Sequence, residues 1–121
     1  GVSKSSTSPL IIQLGDSGGF ETSGYIGSGG YVSASPSATA FTAGFGFNST
    51  SAADVVNGLV TIALVGANTW VAAGNFARSD AAGMFLTAGA KQVSDTLTSV
   101  RVTTVAGNQA FDAGTINILY E

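Results

Sequence analysis

An all-β, antiparallel β-sandwich of jelly-roll-like form, with about eight short strands, follows from three features of the sequence. Short runs rich in Val, Ile, Thr and Phe recur along the chain, separated by turn residues every ~8–12 positions. No segment holds a helical apolar period flanked by caps, so no long helix is predicted. The chain also closes on two alternating runs, TLTSVRVTTV and FDAGTINILYE, around Ala106-Gly107-Asn108-Gln109, the pattern of a hairpin that completes a sheet.

Taken in order, residues 1–8 (GVSKSSTS) are polar and predict a flexible N-terminal tail, leaving residues 9–121 as one sandwich domain. Pro9 opens a strand over residues 10–14, where its missing N–H does least harm. Gly15-Asp16-Ser17-Gly18-Gly19 is a turn, residues 20–26 a second strand weakened by Gly24, and residues 27–30 a glycine-rich loop before a short strand at 31–34. Phe41, Ala43, Phe45 and Phe47 repeat at period two and predict one half-buried strand with Gly44 and Gly46 on its other face. Ser51 with Asp54 three residues on is a capping pattern, enough for a single turn. Residues 59–65 are apolar on both faces, as in a strand inside a sandwich. They turn at Gly66-Ala67-Asn68 and return through residues 69–78. That hairpin and the closing one share a pattern, with an Ala-Gly interruption in each return strand that marks a bulge or a close crossing. The predicted core comprises Leu10, Ile12, Leu14, Phe45, Phe47, Val60, Ile62, Leu64, Trp70, Phe76, Val100, Val102, Ile116 and Ile118.

With 121 residues the chain has material for one core. Charged residues make up 9% of it, against a usual ~25%. A surface that leans so heavily on Ser, Thr, Asn and Gly suits a subunit covered by neighbours. Seven acids against Lys4, Arg78, Lys91 and Arg101 give a net charge of −3, too few cations for a phosphate backbone, so no nucleic-acid partner is expected. No apolar run approaches the ~18 residues of a spanning helix, so no membrane insertion is expected. The first residues contain no apolar core of a signal peptide, and the missing initiating Met fits a processed product or an excised piece.

Cysteine and histidine are both absent, which removes thiolate chemistry and the commonest general base. Residues 15–19, GDSGG, match the nucleophile signature of chymotrypsin-like proteases. Ser17 has no histidine to take its proton, so a turn in which Asp16 caps its own backbone is the preferred reading. For a Ser–Lys dyad, Lys4 sits in the expected tail and Lys91 in an expected turn, neither with the burial that activates an amine. The acids are scattered through turns and no D-x-D-x-D spacing occurs, so no catalytic residue, metal or cofactor is assigned. Asn48-Ser49-Thr50 is a formal glycosylation sequon, read as a turn. Aromatic faces stack on sugar rings; Trp70 is expected in the core, whereas Tyr25 and Tyr31, flanking the loop at 27–30, are the candidate ligand-binding residues.

Residues 11–25, IIQLGDSGGFETSGY, resemble a segment of tailed-bacteriophage virion proteins. The terminal FDAGTINILYE, the stretch Asn68-Thr69-Trp70-Val71-Ala72 and residues 97–104 fit the same pattern, so the likeness runs from about Leu10 to Glu121. The resemblance implies a jelly-roll or sandwich unit of a tail fibre, tail tip or head decoration, located in the virion. It supplies no catalytic residues. In the proteins it resembles, further strands lie upstream, so either the unit is self-sufficient or another chain completes its sheet. The expectation is a non-enzymatic virion structural module assembled as a homo-oligomer, a trimer favoured, or with other virion subunits. The alternative is an adhesion module at a fibre tip that binds a host receptor or cell-surface glycan.

Overall fold

The computed structural model describes residues 1–120 and is all-β, with eleven short strands and no helix among them. Strand β2 (Leu10–Asp16) is buried along its whole length. It pairs antiparallel with β10 (Ser99–Thr104) on one side and with β6 (Phe45–Phe47) and β3 (Gly19–Phe20) on the other. The β10 register sets Val100 opposite Leu14 and Val102 opposite Ile12, so their side chains share the inner face. The second sheet has five strands in the order β5 (Ser37–Phe41), β4 (Ile26–Val32), β9 (Met84–Gln92), β8 (Thr69–Arg78), β7 (Val56–Gly66). Leu10, Ile12, Leu14, Phe45 and Phe47 of the smaller sheet meet Ala72 and Phe85 of the larger one in the core. Val60, Ile62, Trp70 and Phe76 pack partly buried against it. This is a β-sandwich. Successive strands β7, β8 and β9 stay within one sheet, whereas a jelly roll sends its chain back and forth between sheets; jelly-roll connectivity is therefore not established.

The second face of β2 is also covered, which the alternating pattern did not foretell. Residues 42–44 cross over it, and Gln13 Nε2 donates to the Ala43 carbonyl at 2.7 Å. A side chain on Gly44 would stand 2.8 Å from the Ile12 carbonyl, so only glycine lets the crossing strap lie this close. The expected single strand over 41–47 is thus two strands in different sheets, β5 ending at Phe41 and β6 beginning at Phe45. Period two continued across the break because all three Phe are buried, but Phe45 and Phe47 enter the core while the Phe41 ring packs on Gly46, on the other side of β6. The hairpin at Gly66-Ala67-Asn68 forms as expected, with φ of 44° and 58° at Ala67 and Asn68. The sequence Gly27–Gly30, expected as a loop, lies inside β4.

Two expectations at the chain ends fail. Residues 2–5 are not a free tail: β1 (Ser3–Lys4) pairs with β11 (Phe111–Ala113), and Val2 bridges Val56 at the start of β7. Nor does a closing hairpin form. β10 finds its partner in β2, the return run pairs only at 111–113 with β1, and residues 114–120 join no strand. Ile116 and Ile118, expected in the core, are exposed, and so is Leu64 near the tip of the β7–β8 hairpin. Glu121, the last residue of that expected strand, lies outside the described residues.

Leu14 is fully buried at the centre of the sandwich. Leu14→Ala should lower the free energy of unfolding by about 2–5 kcal/mol, read as a fall in the urea midpoint at unchanged slope.

Candidate functional site

The five-stranded sheet has one face on the core and the other open, and its registers define what the open face carries. Four cross-strand rows run over it. One joins Leu59, Asn75, Leu86, Gly30 and Ala38; the next joins Thr61, Ala73, Ala88, Ser28 and Ala40. The outer two hold Ala63, Val71, Ala90 and Ile26 at one end, and Asn57, Ala77, Met84 and Val32 at the other. No row contains a charged side chain. Ile26 is 81% exposed and Leu59 71%, and Val32, Met84 and Leu86 are exposed as well. Between Leu59 and Leu86 the small residues leave a shallow depression of about 710 Å³. At strand and residue spacings of ~4.8 Å and ~3.4 Å, four rows across five strands cover roughly 600 Å². The apolar part of this face, without Asn57, Asn75, Thr61 and Ser28, lies within the range of the largest apolar patch on a typical monomer, and such patches commonly mark contact surfaces.

The signal for this face was present in residues 59–65, apolar at both parities. Two apolar faces ask for two covers. The chain itself provides one, over Val60 and Ile62; β7 is an edge strand whose other face meets solvent.

The tyrosines proposed from sequence are placed otherwise. Tyr25 is 2% exposed and stacks edge-on against Phe45 at 5.1 Å. Its hydroxyl accepts from the Leu14 N–H at 2.7 Å and donates to the Glu21 carbonyl at 3.2 Å. It thereby plugs the gap in the β2 ladder between the segments taken by β6 and β3. Burial raises its pKa. Tyr31, at the other end of β4, is half-buried against Phe85, and its hydroxyl accepts from Arg78 Nη1 at 3.1 Å. The two rings do not meet, and neither offers a free stacking face with a free hydroxyl. Trp70 lies on the inner face, partly buried, with Nε1 unpaired.

Besides the Arg101–Gln13 pair, where Arg101 Nε donates to Gln13 Oε1 at 2.7 Å, most charged side chains fall into two separate networks. In the first, Gly18 N–H donates to Asp16 Oδ1 at 2.8 Å, the self-capped turn expected of GDSGG. Asp16 Oδ2 accepts from Ser94 Oγ at 2.6 Å, and Ser17 Oγ donates to Asp95 Oδ2 at 3.0 Å. Ser17 is thus tied to a carboxylate, with no amine at its hydroxyl. Lys91, expected in an exposed turn, is buried in β9, paired with Glu21 at 3.2 Å and set over the Tyr25 ring. Ser94 hydrogen bonding, foremost, holds the Asp16 carboxyl below its usual value; the Lys91 contact does the same for Glu21.

The second network pins the N-terminus and the loop at 48–55. Lys4, 1% exposed, donates to the carbonyls of Ser6 at 2.6 Å and Ser51 at 3.0 Å. Desolvation lowers its pKa against the pull of Asp54 and Asp112. Asp54 Oδ2 accepts from Ser49 Oγ at 2.9 Å and from the Ser51 N–H at 3.1 Å, closing the anticipated capping pattern in a turn without a helix. Arg78 Nη2 stands 3.0 Å from Asp54 Oδ1, an ionic contact too poorly aligned to count as a hydrogen bond. Arg78 also grips Asp80 through Nε and Nη2, which holds the Asp80 carboxyl at about 2, with help from the Val55 N–H. The sequon residue Asn48 is buried and bonded to Ser37 and Thr39. No group of three or more acids that could hold a metal ion occurs among the described residues.

Comparison with protein-family models, with curated proteins and with solved structures finds no match to this chain.

Two outcomes follow. Tyr25→Phe should cost about 1–3 kcal/mol of stability by denaturant titration, because the Leu14 N–H stays buried without its acceptor. Asp80 titrates lower in the folded chain than in the unfolded one, so its stabilisation is complete above pH ~4 and is lost as pH falls toward 2. Asp16 and Glu21, shifted the same way, add to this acid limb. Urea midpoints should fall across that window, and Asp80→Asn should flatten part of the slope.

Proposed function

We propose that this chain is a non-enzymatic structural module of a bacteriophage virion, of tail-fibre, tail-tip or capsid-surface type, working as a homo-oligomeric building block. The observation that carries the reading is the open face of the five-stranded sheet: four rows, no charge, and large side chains such as Ile26 and Leu59 in water. A face of roughly 600 Å² is close to the ~800 Å² that each partner contributes to a specific interface. Gathering the same face of several copies about a common axis needs no foreign partner and juxtaposes no like charges. A trimer is the favoured closed form, and the likeness of residues 11–25 and 111–121 to tailed-phage virion proteins supplies the setting. The adhesion alternative loses support where Tyr25 is buried and the Tyr31 hydroxyl is engaged by Arg78.

Sedimentation of the purified chain at micromolar concentration should give a discrete oligomer. Leu59→Glu with Leu86→Glu should weaken self-association by roughly a hundredfold, about 2.7 kcal/mol, while the far-ultraviolet spectrum stays that of a β protein. A monodisperse monomer of the unaltered chain would defeat the assembly reading. Immunogold labelling that leaves the parent phage particles bare would defeat the virion setting.

A further inference from the structure

Resting on the reading of the chain as a subunit, we infer that residues 115–120 serve as a donor strand that adds to the free edge of β10 in a second copy. The two sheets differ in width. The larger has five strands, and the smaller only three abreast, β10, β2 and the β6/β3 pair. β6 packs on β4 and β9, no strand of the smaller sheet packs as closely on β8 or β7, and nothing in the smaller sheet lies beyond β10. The consequence is visible on β7. Val60 and Ile62 point inward but are only partly buried, and Leu64 is exposed. A fourth strand beside β10 would cover them and would pair the open N–H and C=O groups of that edge, which otherwise invite another chain.

The donor is present in every copy. Thr115-Ile116-Asn117-Ile118-Leu119-Tyr120 is β-branched, alternating and uncharged. It joins no ladder, and Leu119 and Tyr120 are 96% and 93% exposed. Laid beside β10, Ile116, Ile118 and Tyr120 would continue the inner row of Val100 and Val102. The chain's own segment does not take this place. It leaves β11 at Gly114, whose φ of +110° and contact with the Gly1–Val2 backbone fix the exit. It then passes the start of β10 across a gap of about 340 Å³ lined by Val100, Ile118 and Tyr120. Exchange between copies is the arrangement in which donor and acceptor occur in equal number and close the assembly by symmetry.

The test uses the absence of native cysteine. Thr103→Cys chains are mixed with chains carrying Thr115→Cys, Asn117→Cys or Leu119→Cys, which sample the in-phase registers, and are oxidised. At least one mixture should give an interchain dimer on a non-reducing gel. In parallel, a chain ending at Gly114 should self-associate at least tenfold more weakly, with its β spectrum kept. An intrachain disulfide in the doubly substituted chain would show that the segment closes on its own edge and would overturn the inference. So would the absence of any interchain link across the panel, or full oligomeric mass in the shortened chain. That last result would leave the subunit reading standing on the sheet face, where only the Leu59 and Leu86 substitutions act.

Discussion

Burial of Leu10–Asp16 on both faces and along both edges is the constraint around which the molecule is arranged. A central strand cannot leave an N–H or C=O unpaired without a penalty of a few kcal/mol. Five partners share the task. β10 takes one edge; β6 and β3 take the two ends of the other; the Tyr25 hydroxyl and the Glu21 N–H take the gap at Leu14. The crossing at residues 42–44 then covers the outer face, bonded through Gln13. β3, Glu21 and Tyr25 follow β2 closely in the chain, whereas β6, β10 and the crossing strap come from distant parts of the sequence, so pairing β2 fixes much of the topology.

Apart from Arg101, which lies on β10 and donates to Gln13 across the outer surface of the smaller sheet, most of the charges tie down loops and chain ends. Arg78, Asp80, Asp54 and Lys4 tie the N-terminus and the loop at 48–55 to the ends of β7 and β8. Lys91, Glu21 and Asp16 do the same at the opposite end, with Ser94. Fixing long loops with charge-assisted bonds leaves the five-stranded sheet free of charge on its open face. That division of labour leaves the face uncharged, and it explains how a chain so poor in ions can still hold its connections.

The open sheet face and the unpaired C-terminal segment are separate deficits with a common origin. In both, apolar residues stand in strands or strand-like sequence without the second layer that would cover them. A two-layer sandwich has no third layer for the outer face of its five-stranded sheet, and its narrower layer leaves the inner side of β7 partly uncovered. Further copies could cover both, and the functional proposal follows from these uncovered surfaces more than from any reactive group.

The sequence by itself determined the β class, the hairpin at Gly66-Ala67-Asn68, the self-capped GDSGG turn and most of the inner-face core. Each of these depends on local conformation or on period-two alternation, which residues carry in their own chemistry. Partner choice belonged to the tertiary structure. Alternation says that residues 99–104 and 115–120 suit strands, but not that the first pairs with β2 while the second pairs with nothing. Tyr25 reads as a loop aromatic until β2 needs an acceptor, and Lys4 as a tail residue until β11 draws it in. Which edges meet is settled by contacts between residues far apart in the chain, and no local pattern encodes that distance.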